Sequence, residues 1–384
     1  MSELKELRNE IDKIDKELLS LFLRRMDVCG KVADYKRRND MAVFDPIREA
    51  QLLEAKKNML SSPEMADEVY EFFNAIMTIS RIRQSKLLIK DRTDICGEII
   101  EKSVKRKENP KVICYGYEGS YSEEAAEKVF GENCEREYVS SFSEAFKKIE
   151  EGRADYTVLP IENSSTGVIS EVLDTLAEKD LYIVGEEYVA VHHCLVGVKG
   201  ADIRGIKKIF SHEQGFMQCR EYIDKTGDVE CVPHYSTALS ARYVSELCDK
   251  SVCAIASERT AKIYGLDILD KDINAVDCNT TRFVVIAKYP EICDAADKIS
   301  VVFNLDHRSG ELYRILSTFA RGGLNLLKLE SRPIPEKPFE YKFFADYSGN
   351  LKTSEVRMLT NNLINETRRF TVIGNYKNAN GEIK

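Results

Sequence analysis

The sequence predicts a multidomain chain: an all-α helical bundle, then an α/β two-lobed domain, then a smaller α+β domain. Three observations predict it. Apolar residues recur at three-four spacing through the N-terminal part. From Val112 short apolar runs alternate with helical stretches, an α/β pattern. Beyond Ile299 strands and helices follow in βαββαβ order. The 384 residues leave room for about two to four domains, and 43% hydrophobic content supplies a sizeable core.

The first helix carries Leu4, Leu7, Ile11, Ile14, Leu18 and Leu21 on one stripe, then Arg25 where the next apolar residue should stand, then Val28 and Val32. Lys36 returns to within about 20° of Arg25, about 16 Å further along the axis, so two cationic side chains can converge on one small anion. Arg8 lies roughly 100° away, toward the edge of the stripe, where it could serve a different site. One such arginine is more often a side chain snorkelling from a core edge. The next two helices change that balance. Asp45-Pro46 reads as an N-cap followed by proline at the first helical position, with Arg48 and Glu49 in the first turn. Arg48 there opposes the helix macrodipole. A third helix from Pro63 to Leu88 runs Met65, Val69, Phe72, Phe73, Ile76 and Ile79, then sets Ser80 and Gln84 on one face. Three stripes that turn polar together predict a bundle with a buried wet pocket. The first helix, some 35 residues and about 50 Å, is too long for two short partners to cover. An intertwined dimer follows, with Arg8 reaching the pocket of the opposite subunit.

Arg8, Arg25, Lys36, Asp45, Arg48, Glu49, Ser80 and Gln84 fall in the order and spacing of the all-helical chorismate mutases, which residues 1–92 resemble throughout. That rearrangement needs neither nucleophile nor proton transfer. The work is to hold a compact conformer and to stabilise charge developing on the breaking ether oxygen. The resemblance implies that Arg25, and Arg8 of a second copy, grip the two carboxylates of chorismate. It implies that Lys36 and Gln84 point at the ether oxygen, and that Asp45, Arg48, Glu49 and Ser80 bind the ring hydroxyl or orient the others.

Composition narrows the partners. A net charge of −8 disfavours nucleic acid while leaving anionic small molecules open. Eleven cysteines without a CxxC, HxxxH or HExxH pattern indicate neither a disulfide framework nor a structural zinc site, and fit a reducing cytoplasm. The chain starts in a charged amphipathic helix and has no run of eighteen apolar residues, so secretion and membrane insertion are not expected. No metal and no cofactor is expected.

Residues 93–110, ending Lys105-Arg106-Lys107-Glu108-Asn109-Pro110, read as a linker or a solvated helix tail. Strands are expected at Val112 to Tyr115, Tyr156 to Leu159, Leu181 to Val184, Tyr188 to Val196, Lys208 to Phe210, Val252 to Ile255 and Phe283 to Ala287. Four polar turns could meet at one cleft between lobes: Gly116 to Ser122, Pro160 to Gly167, Ser211-His212 with Gln214 and Gln218, and Thr280 to Phe283. His192 and His193 lie on an expected strand and are assigned no role.

With Gly-Ser-Tyr-Ser at 119–122, Pro-Ile-Glu-Asn at 160–163 and Thr-Arg-Phe at 281–283, residues 111–288 resemble prephenate dehydratase. The resemblance implies a cleft binding prephenate through Ser120, Tyr121, Ser122, Glu162, Asn163, Ser164, Gln218, Arg282 and Phe283, with Thr281 near the departing ring hydroxyl. An acid must assist that departure: either a strongly polarised Thr281, or Glu162 with a raised pKa. Around 211–219 this chain departs from the family in having Glu213, Gly215 and Met217.

The remaining elements are a strand Ile299 to Leu305, a helix Gly310 to Arg321, strands Leu324 to Ile334 and Glu340 to Tyr347, a helix Glu355 to Glu366 and a strand Phe370 to Tyr376, a ferredoxin-like order. Residues 297–376 resemble an ACT regulatory domain. Glu330-Ser331-Arg332-Pro333 matches its phenylalanine-binding motif, and Gly310-Glu311-Leu312 stands where Gly-Ala-Leu is usual. The implied effector site comprises Gly310, Leu312, Glu330, Ser331 and Arg332, at a second dimer contact. Together the resemblances imply a cytoplasmic bifunctional enzyme of phenylalanine biosynthesis, at least a dimer. The competing readings are a noncatalytic amino-acid sensor and an enzyme that uses arogenate in the second reaction.

Overall fold

A computed structural model describes residues 2–39, 41, 45–60, 62–88, 94–275, 279–305, 310–334, 337–367 and 369–379. The chain divides into two compact units, residues 1–96 with 357–368, and residues 97–356 with 369–384.

In the first unit, α1 (Ser2–Arg38) packs on α3 (Ala66–Leu88), and α2 (Pro46–Lys57) packs on α3 as well. The α2 start follows the expected chemistry: Asp45 is extended and its carboxylate accepts the Arg48 N–H, with Pro46 at the first helical position. Met26, Ala33 and Met77 form the buried seam. The rest of the α1 stripe is bare. Leu4, Leu7, Ile11, Ile14, Leu18 and Leu21 are each 44–61% exposed. Residue 93, where the expected linker begins, lies outside the described residues, and much of the remainder is structured: α4 (Ile95–Glu101) buries Cys96 and Ile99.

In the second unit the first lobe runs β1 (Lys111–Tyr115), α5 (Tyr121–Phe130), β2 (Glu135–Val139), α6 (Phe142–Glu150), β3 (Tyr156–Asn163), β4 (Gly167–Val168), α7 (Ser170–Glu178) and β5 (Tyr182–Ala190). The second lobe follows with β6 (Cys194–Gly197), β7 (Lys208–Ser211), α8 (Glu213–Gln218), α9 (Arg220–Thr226), β8 (Glu230–Pro233), α10 (Thr237–Leu247), β9 (Val252–Ala256), α11 (Glu258–Ile263) and β10 (Asp267–Asp270). β11 (Thr280–Ala287) then returns to the first lobe, between β5 and β3. The second lobe has its own five-stranded sheet, ordered β10-β6-β9-β7-β8.

Two strand expectations are corrected. The runs read as Leu181 to Val184 and Tyr188 to Val196 are one strand, β5, followed by a break at residues 191–193 and then β6. The chain changes lobes at that break. The edge strands β2, β8 and β10 were not expected.

The C-terminal segment follows βαββαβ order with β12 (Lys298–Asn304), α12 (Glu311–Arg321), β13 (Leu326–Ile334), β14 (Lys337–Ser348), α13 (Ser354–Glu366) and β15 (Arg369–Tyr376). Its strands lie in the order β13-β14-β12-β15, antiparallel throughout. β15 joins this sheet to β5 of the first lobe through one parallel pair, Gly374 with Ile183. Only glycine permits that approach, because a Cβ on residue 374 would stand 2.4 Å from the Ile183 carbonyl oxygen. One apolar core therefore continues from Phe146, Leu159 and Leu176 through Ile183 and Val284 to Val302, Phe344 and Ile373.

Candidate active sites

In the helical unit, α1 presents Arg25 to α3, where its guanidinium donates to the Ser80 hydroxyl. Ser80 in turn donates to the Ile76 carbonyl at 2.7 Å. Glu49 of α2 pairs with Arg81, a buried cation that also donates to Thr78 at 2.9 Å and that sequence reasoning passed over. Arg81 lies four residues after buried Met77 and three before Gln84, a spacing that signals an inward-facing cation. Gln84 is buried, and its Oε1 accepts no hydrogen bond from the described residues. The structure thus brings Arg25 to Ser80, and Glu49 to the α3 face that carries Gln84. Asp45 caps α2, Arg48 is exposed in its first turn, and Lys36 is half-buried near the end of α1. Arg8 is exposed some two dozen ångströms up the helix from Arg25 and cannot share its own chain's pocket.

In the second unit a cavity of about 320 Å³ opens between the two lobes. The N-terminus of α5 borders it on one side and that of α10 on the other, with Ser120 and Ser236 as N-caps. Tyr115, Phe142, Pro160 and Phe283 supply apolar wall. Among the described residues that line it there is no Asp, Glu, Lys or Arg.

β3 and β11 deliver the central polar pair, since Asn163 stands opposite Thr281 in the ladder and both line the cavity. A bulge at Ile161 allows Pro160 and Asn163, three residues apart, to face the cleft together. The Asn163 amide is fixed by its neighbours. Its oxygen accepts from the backbone N–H groups of Ser165 (2.9 Å) and Thr166 (3.1 Å) and from the Ser165 hydroxyl (2.6 Å). Its NH₂ therefore points the other way, donating to Asn279 Oδ1 (2.7 Å) and Thr281 Oγ1 (2.8 Å). With Oγ1 already accepting from Asn163, the Thr281 O–H remains available as a donor.

Several expected ligands have other duties. Strand alternation turns Glu162 and Arg282, a cross-strand pair, to the face opposite Asn163 and Thr281. Glu162 is held there by Lys328 at 2.6 Å, so it does not line the cavity and is not positioned to be the acid. Arg282 is buried among Glu186, Asp346 and Tyr376, away from the cleft. Ser164 is tied to Thr280 by two hydrogen bonds of 2.9 Å and does not line the cavity either. Ser122 lines it, but its hydroxyl bridges the Tyr115 N–H and the Val158 carbonyl. The Tyr121 hydroxyl donates across the lobes to the His192 carbonyl at 3.0 Å, and burial holds its pKa well above the usual phenol value.

His193 is a cavity residue to which sequence reasoning assigned no role. It lies in the break between β5 and β6, is 2% exposed and lines the cavity. Its Nε2 lies 2.8 Å from Gln218 Oε1, while the Gln218 NH₂ donates to Ser165 at 3.2 Å. Gln218 thereby ties the second lobe to the loop that fixes Asn163. Burial lowers the His193 pKa, opposed by the Gln218 bond and reinforced by His192, so the ring is neutral with its proton on Nε2. His212 also lines the cavity; its Nδ1 caps α8 by accepting from the Gln214 N–H, which leaves the proton on Nε2. Among the described residues no group of three His, Cys, Asp or Glu side chains is arranged to hold a metal ion, and no helix is long and apolar enough to cross a membrane.

These two sites define a class, a helical bundle with a buried cation fused to a two-lobed α/β enzyme with a polar cleft. A family model for chorismate mutase type II matches residues 7–85, and one for prephenate dehydratase matches residues 112–291. Over 380 residues, 99% of both chains, the sequence is 32% identical to a bifunctional chorismate mutase/prephenate dehydratase of Aquifex aeolicus, and the chain belongs to that bifunctional family. It is also 36% identical over 288 residues to arogenate dehydratase 2 of Petunia hybrida, covering 71% of this chain and 72% of the relative. Among solved structures, prephenate dehydratase from Arthrobacter aurescens in complex with L-Phe superposes with a TM-score of 0.65 at 29% identity, over 71% of this chain and 91% of that one.

Proposed function

We propose that the two reactions of this family are divided between the two sites described, with residues 1–92 as the mutase domain, 93–110 as the linker and 111–288 as the dehydratase domain. In the mutase site Arg25 grips one carboxylate of chorismate, and Arg8 of a second copy grips the other. Lys36 and Gln84 donate to the ether oxygen as it takes up charge. Asp45, Arg48, Glu49 and Ser80 orient them or bind the ring hydroxyl. The unpartnered Gln84 oxygen supports a pocket that a polar ligand completes. The bare α1 stripe supports a second copy packed along that helix.

In the dehydratase cleft Thr281 donates its O–H to the ring hydroxyl of prephenate as the C–O bond breaks. The electron pair released by loss of CO₂ forms the ring double bond, and the hydroxyl leaves as water with the Thr281 proton, which solvent water then restores to Oγ1. The Asn163-to-Thr281 hydrogen bond is the single observation that carries this reading, because it frees that proton. Ser120, with the N-termini of α5 and α10, offers neutral donors and positive helix ends to the carboxylates. Gln218 and Tyr121 tie the lobes together, and Phe283 packs on the ring.

The βαββαβ segment, residues 297–376, is read as a ferredoxin-like ACT domain that binds phenylalanine through Gly310, Leu312, Glu330, Ser331 and Arg332. Its strand order and the left-handed Gly310 at the start of α12 support this. Arg332 has a further bond in this chain, to Asp174 at 3.2 Å, and Glu311 pairs with Arg314 at 2.8 Å. The reading takes the protein to be cytoplasmic.

Product analysis of two variants tests the division. Lys36→Ala should lose about 3 to 4 kcal/mol of transition-state stabilisation on chorismate while still converting supplied prephenate. Thr281→Ala should turn chorismate into prephenate and stop there. Equal loss of both activities in either folded variant would refute the division.

A further inference from the structure

Behind the strand that presents Thr281 lies a buried quartet of charges. Arg282 Nε donates to Glu186 at 2.7 Å, and its Nη1 lies 2.7 Å from Asp346 Oδ2. Lys298 Nζ lies 2.9 Å from both Glu186 oxygens. Ser300 donates to Asp346 Oδ1 at 2.6 Å, and Tyr376 bridges Ser300 and Arg282 at 2.7 and 3.0 Å. The four charged side chains are 0–10% exposed, and two cations balance two anions. Arg282 and Glu186 belong to the catalytic lobe, whereas Lys298, Ser300, Asp346 and Tyr376 come from the C-terminal sheet.

We propose that Asp346 and Lys298 are positioning residues of the dehydratase reaction: through Arg282 and Glu186 they hold β11 in the register that points Thr281 at the cleft. The inference rests on the reading of Thr281 given above. Arg282 is covalently next to Thr281, so a shift of its guanidinium within a close-packed interior moves the neighbouring backbone. An unpaired buried cation would force such a shift, because burial leaves it little solvation beyond its ion-pair partners. The two anions sit on different elements, Glu186 on β5 and Asp346 on β14, so Arg282 is held from both sides. Burial opposes ionisation of Asp346, but Arg282, Lys298 and the Ser300 hydroxyl hold its pKa below the usual carboxylate value, so Asp346 stays charged at neutral pH.

The quartet has outliers on the strand that carries Glu330, Ser331 and Arg332. From β13, Lys328 reaches Glu162, the cross-strand partner of Arg282 and the residue before Asn163, while Arg332 shares Asp174 of α7 with Lys342 of β14. β13 is thereby tied both to the residue before Asn163 and to α7. The C-terminal segment is the back wall of the active site as well as a candidate effector domain.

The test is steady-state kinetics of the full-length chain on prephenate. Asp346→Asn should lower dehydratase kcat by about ten- to a hundredfold with KM nearly unchanged. Mutase kcat should be unaffected, and Asp346→Glu should recover part of the loss. In an Arg282→Gln background Asp346→Asn should have little further effect, since the residue acts through Arg282. Wild-type kcat in Asp346→Asn, or losses that simply add in the double variant, would overturn the proposal. Should Asp346→Asn show no cooperative melt, Ser300→Ala, which removes one bond to Asp346 and keeps its charge, carries the test: a smaller fall in kcat supports the proposal and none overturns it. Thr281→Ala measured alongside separates the two claims. If it retains turnover, the reading of Thr281 fails and this proposal with it; if it is inactive while Asp346→Asn is normal, only the positioning role fails.

Discussion

Replacing Asn163 by aspartate inverts one hydrogen bond and leaves the shape of the site nearly intact. The carboxylate can still accept from Ser165 and Thr166, which hold the present amide oxygen at 2.6–3.1 Å, so the loop keeps its anchors. The other side changes sign. Where an NH₂ now donates to Thr281 Oγ1 at 2.8 Å, a carboxylate oxygen would accept the Thr281 proton. Asn279, which faces the same NH₂ at 2.7 Å, can respond by turning its own amide. The fold should therefore survive, while the departing hydroxyl loses its donor. Loss of one preorganised donor is worth about 2.7 to 4 kcal/mol, or roughly 10²- to 10³-fold in kcat. A carboxylate introduced beside a dianionic substrate should also raise KM. The assay is phenylpyruvate formation from prephenate, with conversion of chorismate to prephenate as the internal control. Near wild-type dehydratase turnover in folded Asn163→Asp would mean that the Thr281 proton is not the one that matters.

Two further outcomes are expected. The pKa of His193 is depressed, chiefly by burial, so the neutral ring is fully present above the ordinary imidazole value of 6.5 and gives way to a buried imidazolium, its Nε2–H still able to donate to Gln218, as pH falls through the lower folded value. Dehydratase kcat should be level above that range and fall on its acid side, and His193→Gln should lack that limb; an identical acid limb in the variant would assign it elsewhere. Calorimetric titration with phenylalanine should give heat with the unmodified chain and much less with Glu330→Ala, whereas no heat from the unmodified chain would remove the effector site.

Periodic elements were legible in the sequence. The long first helix, the Asp45 cap and the βαββαβ order follow from local spacing and capping, which act over a few residues. The edge strands were not, because Glu135-Arg136-Glu137-Tyr138-Val139 is too charged to look like a strand, and charge is how an edge resists further pairing. The four polar turns of the sequence all border the cavity, but they do not tell which side chains enter it. Glu162 and Asn163 are equally polar, and so are Arg282 and Thr281; only the pleat and the bulge at Ile161 decide which of each pair faces substrate. The opposite face looked equally available until the C-terminal sheet was seen to bring Lys328 and Asp346 against it. His193 was hidden for a similar reason, since reading 188–196 as one strand removes the break that turns its ring into the cavity.

The central claim is that two chemically independent sites on one chain act in succession. Mixing purified Lys36→Ala with purified Thr281→Ala and supplying chorismate tests it most directly. Neither variant alone should form phenylpyruvate at an appreciable rate, while the mixture should form it, because prephenate released by the one intact mutase site can enter the other intact cleft. No product from the mixture, or full product from either variant alone, would contradict the account.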